Sequence, residues 1–160
     1  MPTQSGTLAA RIPAATAAAL IAGASGLHAL WGTGSAWPAR DRRELAELVA
    51  GTEDAPGSGA CFAVAALLAG AAAVVVRAPD GPAERVGKAC VAGVFALRGA
   101  AGLTGSTGRL VPWTPSARFV ERDRRYYGPL CVSIAALVAV DLVGRRRRTT
   151  PRGDAALRRK

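Results

Sequence analysis

Gly59-Ala-Cys-Phe-Ala-Val-Ala-Ala-Leu-Leu-Ala-Gly-Ala-Ala-Ala-Val-Val-Val76 is a run of 18 residues without a formal charge. A bilayer core about 30 Å thick needs about 20 helical residues at ~1.5 Å each, and an apolar stretch of roughly 18 or more is a candidate span. A helix on the surface of a soluble domain shows a polar face every three or four residues. This run has none. Ile12–Trp31 repeats the pattern over 20 uncharged residues. A third stretch, Ala89–Thr104, is interrupted by Arg98, and a fourth runs from Tyr126 to about Val143. The fold class read from this pattern is all-α: an integral membrane four-helix bundle with short extramembrane helices. Residues 1–148 form its single domain, and 149–160 read as a disordered, basic cytoplasmic tail.

The spans consist mainly of Ala, Gly, Val and Leu. Small residues suit helix packing in lipid, where close backbone approach replaces the missing hydrophobic drive. Ala19-x-x-x-Gly23, Ala22-x-x-x-Gly26 and Gly99-x-x-Gly102 could supply such faces. A composition with two Lys against nineteen Arg also points to genomic base composition, which produces small-residue spacings unaided. The first span, at 20 residues, exceeds the roughly 7–15 of a signal-peptide core. It is read as an uncleaved helix.

Positive charge biases short loops toward the cytoplasm. Four spans put both termini on one side, with Arg11, Arg77, Arg85, Lys88 and eight basic residues after Val143. The other side holds Arg40, Arg42, Arg43, Arg109, Arg118, Arg122, Arg124 and Arg125. Twelve against eight favours a multi-pass plasma-membrane protein with both termini cytoplasmic. The run Arg145–Arg148 fits an anchor for anionic lipid headgroups. No aromatic-interleaved or known nucleic-acid motif accompanies the net charge of +10, so nucleic acid is not an expected partner.

Every Trp and Tyr (Trp31, Trp37, Trp113, Tyr126 and Tyr127) falls on the predicted outer side. Interfacial aromatic belts ordinarily occupy both faces. The one-sided set predicts that the outer loops fold into a packed cap. Within the first loop, Leu45, Leu48 and Val49 recur at helical spacing. They predict a short amphipathic helix on the bundle or on the bilayer surface.

Arg98 is the strongest signal for a site. A charge inside a span costs ~2.5–3.5 kcal/mol on insertion scales and ordinarily faces a partner in the bundle. Asp123, ahead of the fourth span on the same side, is the natural counter-ion; snorkelling to the headgroups is the alternative. Asp141 lies too far along the membrane normal. His28, one turn before Trp31, fits either a hydrogen-bonded structural residue or a proton-handling or ligand-contacting one. One His, and no Met but the first residue, rule out bis-His haem ligation, and neither a His pair nor a close Cys pair suggests zinc. No cofactor or metal is expected. Cys61 and Cys131 open spans on the same side, so a disulfide between them is conceivable. Buried free thiols at Cys61, Cys90 and Cys131 are the other reading.

The segment Phe119-Val-Glu-Arg-Asp123-Arg-Arg-Tyr-Tyr127-Gly-Pro129-Leu130-Cys131 resembles the small bacterial membrane proteins grouped as domain of unknown function 3995. His28-x-x-Trp31 and Arg98-Gly99-x-x-Gly102 are similar to that family's other motifs. The resemblance covers about residues 8 to 145 and implies four spans and no established activity. It marks His28, Trp31, Arg98, Asp123, Tyr127, Pro129 and Cys131. Pro129 suits the first turn of the fourth span, and Asp123 and Tyr127, four apart, would share one helix face. The leading reading is a non-catalytic membrane protein whose outer polar cluster (His28, Trp31, Arg98, Asp123, Tyr127) fixes the bundle or binds a small ligand, lipid or partner. The alternatives are a membrane enzyme or quinone-linked redox component, and a small transporter, using the same cluster.

Overall fold

The computed structural model describes residues 11–77 and 81–149, and every regular element among them is helical. α1 is Ile12–Gly32, α2 is the short Arg42–Val49, and α3 is Ser58–Val76. α4 is Pro82–Thr104, followed by a 3-10 turn at Thr107–Arg109. The last long helix has three consecutive parts: α5 (Ala117–Arg122), a π turn (Asp123–Tyr127) and α6 (Gly128–Thr149). Four of these helical stretches are long and apolar enough to cross a membrane. Residues 150–160 of the expected tail, and the side chains of Arg145–Arg148, lie outside the described residues.

Two boundaries correct the sequence reading. α4 starts at Pro82 and not at Ala89. Proline at the first turn loses no intrahelical bond, and Glu84 suits the positive end of the helix dipole. Lys88, assigned above to a loop, therefore belongs to the helix. The fourth span starts at Ala117, where the Ser116 hydroxyl accepts the Phe119 N–H at 3.2 Å. Pro129 thus does not open a helix but sits inside one already under way. A proline there lacks a donor and collides with the carbonyl four residues back. Widening the preceding turn relieves that conflict, and the Gly128 N–H bonds the Asp123 carbonyl across the π turn.

α1 pairs with α3, and α4 with α6, as two hairpins. α1 against α6, and more sparsely α3 against α4, joins them into a bundle. The larger apolar core gathers Ala14, Ala17, Ala18 and Ile21 of α1, Ala72 and Val75 of α3, and Ile134 and Val138 of α6. Leu67, Val94 and Leu97 point outward at 75%, 66% and 62% exposure in mid-helix. Such faces suit acyl chains, which are as apolar as Leu itself. Of the small-residue motifs, Gly23 and Gly26 face open space. Gly99 and Gly102 instead lie against α6, where the two backbones nearly touch at Gly128.

Loops 33–57 and 105–116 close over one end of the bundle, here named the cap end. Asp41 caps α2 by accepting the Glu44 N–H at 2.8 Å. Leu45 packs on Trp31 and Cys61, so α2 rests on the bundle. Arg42 donates to the Trp31 carbonyl at 3.1 Å and the Pro56 carbonyl at 3.0 Å. Three bonds stitch the loops together: Trp113 Nε1 to the Ala50 carbonyl at 3.0 Å, the Ser116 N–H to the Gly51 carbonyl at 2.9 Å, and Ser116 Oγ to Glu47 Oε1 at 2.7 Å. Gly51 has a φ of +70°, and a Cβ there would meet the Phe119 Cβ at 2.6 Å. Backbone and space both require glycine at that position.

Candidate functional site

Arg98 lies less than two turns from the end of α4, facing the π turn. Its Nη1 donates to Asp123 Oδ2 at 3.0 Å, and its Nη2 lies 2.9 Å from Oδ1. The second approach is too oblique for a hydrogen bond, so that contact is ionic. Thr107 Oγ1 donates to the same Oδ2, and Arg98 Nη1 reaches Thr107 Oγ1 at 3.5 Å. Asp123 and Thr107 are buried, whereas the Arg98 side chain keeps 31% of its surface open. The guanidinium thus joins a buried carboxylate to the partly open side of the lock. Gly102 makes room for it: a Cβ there would sit 2.7 Å from Asp123 Oδ1.

The other sequence-predicted residues go elsewhere. His28 Nδ1 is 2.9 Å from the Ala24 carbonyl, and its ring lies 4.9 Å from that of Trp31. Trp31 Nε1 donates to the Trp37 carbonyl at 2.7 Å. Tyr127 donates to the Leu48 carbonyl at 3.1 Å and faces the Phe119 ring at 6.1 Å. Asp123 and Tyr127 stay on neighbouring faces of the π turn, but the Tyr127 hydroxyl is engaged by the Leu48 carbonyl and not by Asp123. The expected cluster therefore resolves into three groups: a lock (Arg98, Asp123, Thr107), an α1 pair (His28, Trp31) and a cap contact (Tyr127, Phe119, Leu48).

All three cysteines are free thiols, which corrects the Cys61–Cys131 disulfide option. Cys61 is buried beneath the cap beside Trp31, in the α1–α3 hairpin. Cys131 belongs to α6, which packs on α1 and α4. A disulfide needs Cα atoms within about 7 Å, and helices that are not neighbours in a bundle do not approach that closely. Cys61 is buried, Cys131 half-buried and Cys90 exposed, so the reading of three buried thiols holds in full for Cys61 only. Alkylating the denatured protein without reductant is expected to modify all three thiols by mass spectrometry. In the folded protein a membrane-permeant maleimide should label Cys90 before Cys61. A cysteine pair recovered only after reduction would contradict the arrangement.

Three features escaped the sequence reading. Thr107 is a hydroxyl in a short loop, and nothing in its neighbourhood signals a role. Arg124 donates to the Leu103 carbonyl at 3.1 Å and reaches that of Thr104 at 3.5 Å, capping the α4 C-terminus. Lys88 and Asp141 form a fully buried ion pair at 2.7 Å. A signal for that pair was present: one acid in the apolar run Val138-Ala-Val-Asp-Leu-Val143 demands a base.

An open cleft of about 580 Å³ on the cap runs between Glu44, Glu47, Glu53 and Arg118. Its carboxylates already have partners: Glu44 accepts the Arg40 N–H, Glu47 the Ser116 hydroxyl, and Glu53 pairs with Arg43 at 2.9 Å. A shallow apolar groove of about 410 Å³ lies between α4 and α6 along Ala92, Ala96 and Ala136. Neither is lined by His28, Arg98, Asp123 or Tyr127.

The family model described as "Protein of unknown function (DUF3995)" matches residues 20–138. The chain belongs to the DUF3995 family. No curated protein and no solved structure matches it. The DUF3995 stretch takes in the whole lock, the His28–Trp31 pair and the cap contacts of Tyr127, and it ends before Asp141. Of the two ion pairs between α4 and the last helix among the described residues, one lies wholly within the family match and the other only through Lys88.

Proposed function

We propose that this DUF3995 protein is a non-catalytic, multi-pass protein of the cell membrane, with both termini in the cytoplasm. Its polar groups at the cap end hold bundle and cap together, and the cap is its surface for a small ligand, lipid or partner. The observation that carries this reading is the closure of the lock. Arg98 and Thr107 both donate to Asp123 Oδ2, and Arg98 faces Oδ1 as an ion pair, while His28 and Tyr127 bond main-chain carbonyls. A quinone or redox site would instead need these groups to converge on a shared space.

The charge count supports the orientation. Arg42 and Arg124, counted on the outer side, are engaged in building the cap. The Arg145–Arg148 run, which follows the last span in sequence, would then meet anionic headgroups on the inner face. A reporter active only in the cytoplasm, fused after Lys160, is expected to be active. Thermal unfolding of the purified protein, followed by Trp fluorescence, tests the function. A short-chain quinone should leave the midpoint unchanged. A saturable rise that His28→Gln or Tyr127→Phe abolishes would replace this reading with the redox one.

A further inference from the structure

Lys88 and Asp141 form an ion pair that the lock does not use, at the other end of the same hairpin. Neither side chain has any exposed surface. Like Arg98–Asp123, it joins a base on α4 to an acid on the last helix. α1 and α3 carry no charge at all, whereas α4, about as apolar as α1, holds two buried or half-buried cations. In the ordinary scheme each helix enters the bilayer alone and packs afterwards. α1 and α3 suit that scheme. A helix with an uncompensated Lys and Arg does not.

We propose that α4 and the last helix enter the membrane as one unit, with Asp123 and Asp141 as built-in counter-charges for Arg98 and Lys88. The neutralisation is reciprocal for Asp141, which lies inside the apolar run 126–143, while Asp123 stands at the outer end of that run. The spacing fits. Lys88 and Arg98 are ten residues apart, roughly 15 Å of helix, and Asp123 and Asp141 are eighteen apart, roughly 27 Å. Two long cationic side chains reaching toward opposite ends span the difference. The contact of Gly99 and Gly102 with Gly128 brings the two backbones close beside the Arg98–Asp123 pair. The α1–α3 hairpin shows another kind of tie, the Ser25 hydroxyl donating to the Ala65 carbonyl at 2.8 Å.

The full chain, carrying one epitope tag in loop 52–57 and another in loop 105–116, tests this in membranes. Both tags lie on one face when α4 spans. Asp123→Asn with Asp141→Asn leaves α4 unaltered but removes its counter-charges. The fraction of molecules with tags on opposite faces, or degraded, is expected to rise on the order of ten-fold. A second variant removes all four charges (Lys88→Met, Arg98→Met, Asp123→Leu, Asp141→Leu) and is expected to restore wild-type placement. Unchanged tags in the first variant overturn the proposal. So does a second variant as misplaced as the first, because the acids would then matter for something other than the charges of α4.

Discussion

Arg98→Met is expected to lower the thermal midpoint of the purified protein on the order of 10 °C. The substitution keeps much of the side-chain length and removes the charge. It leaves Asp123 as a buried carboxylate, wholly inaccessible, with only Thr107 still donating to it. Removing one partner of a buried pair costs about 3–5 kcal/mol, because the other charge remains uncompensated. Replacing both partners by apolar residues of similar size is often neutral. Arg98→Met with Asp123→Leu should therefore recover most of the lost stability. Trp31, Trp37 and Trp113 all lie in or beside the cap, so intrinsic fluorescence reports the end of the molecule where the lock acts. If the single variant melts like the wild type, the lock does not hold the bundle. A double variant no better than the single one would mean that Arg98 acts through packing and not through charge.

Gly102→Ala is expected to destabilise the protein by about 1–3 kcal/mol, the usual range for forcing extra atoms into a packed interior. The added Cβ would sit 2.7 Å from Asp123 Oδ1, 3.0 Å from the Gly128 Cα and 3.1 Å from Arg98 Nη1. Two of these atoms belong to the lock, and the third is backbone that cannot turn aside. One methyl group should thus loosen both the ion pair and the α4–α6 crossing. Gly26→Ala offers the contrast, since nothing lies within 4 Å of its position. That variant should melt at or slightly above the wild-type midpoint, because Ala favours helix over Gly by roughly 0.5–1 kcal/mol. Equal midpoints for the two variants would show that the crossing is looser than its geometry indicates.

The glycines mark where sequence reading stops. Ala22-x-x-x-Gly26 and Gly99-x-x-Gly102 look alike as spacings, yet the first faces open space and the second seats the lock. Spacing places residues on a face of their own helix; which neighbour meets that face depends on the whole bundle. Arg98 announced its need for a partner because a lone charge among apolar residues is costly wherever the helix sits. Asp123 followed from depth alone. Thr107 did not, because a loop hydroxyl finds its acceptor only after the loop has folded over the helix ends.

By itself, then, the sequence determined the membrane-spanning class, the four helices, the one-sided aromatic cap and the Arg98–Asp123 pair. Each depends on local composition or on position along one axis, and hydropathy reads both. Tertiary structure alone decided that the Tyr127 hydroxyl bonds Leu48 and not Asp123, that Cys61 and Cys131 stay apart, and that Lys88 is buried against Asp141. Those outcomes depend on the π turn before Pro129, on which helices are neighbours, and on where α4 begins. The Lys88–Asp141 and Tyr127–Leu48 contacts each join segments far apart in the chain, so neither segment alone could name its partner.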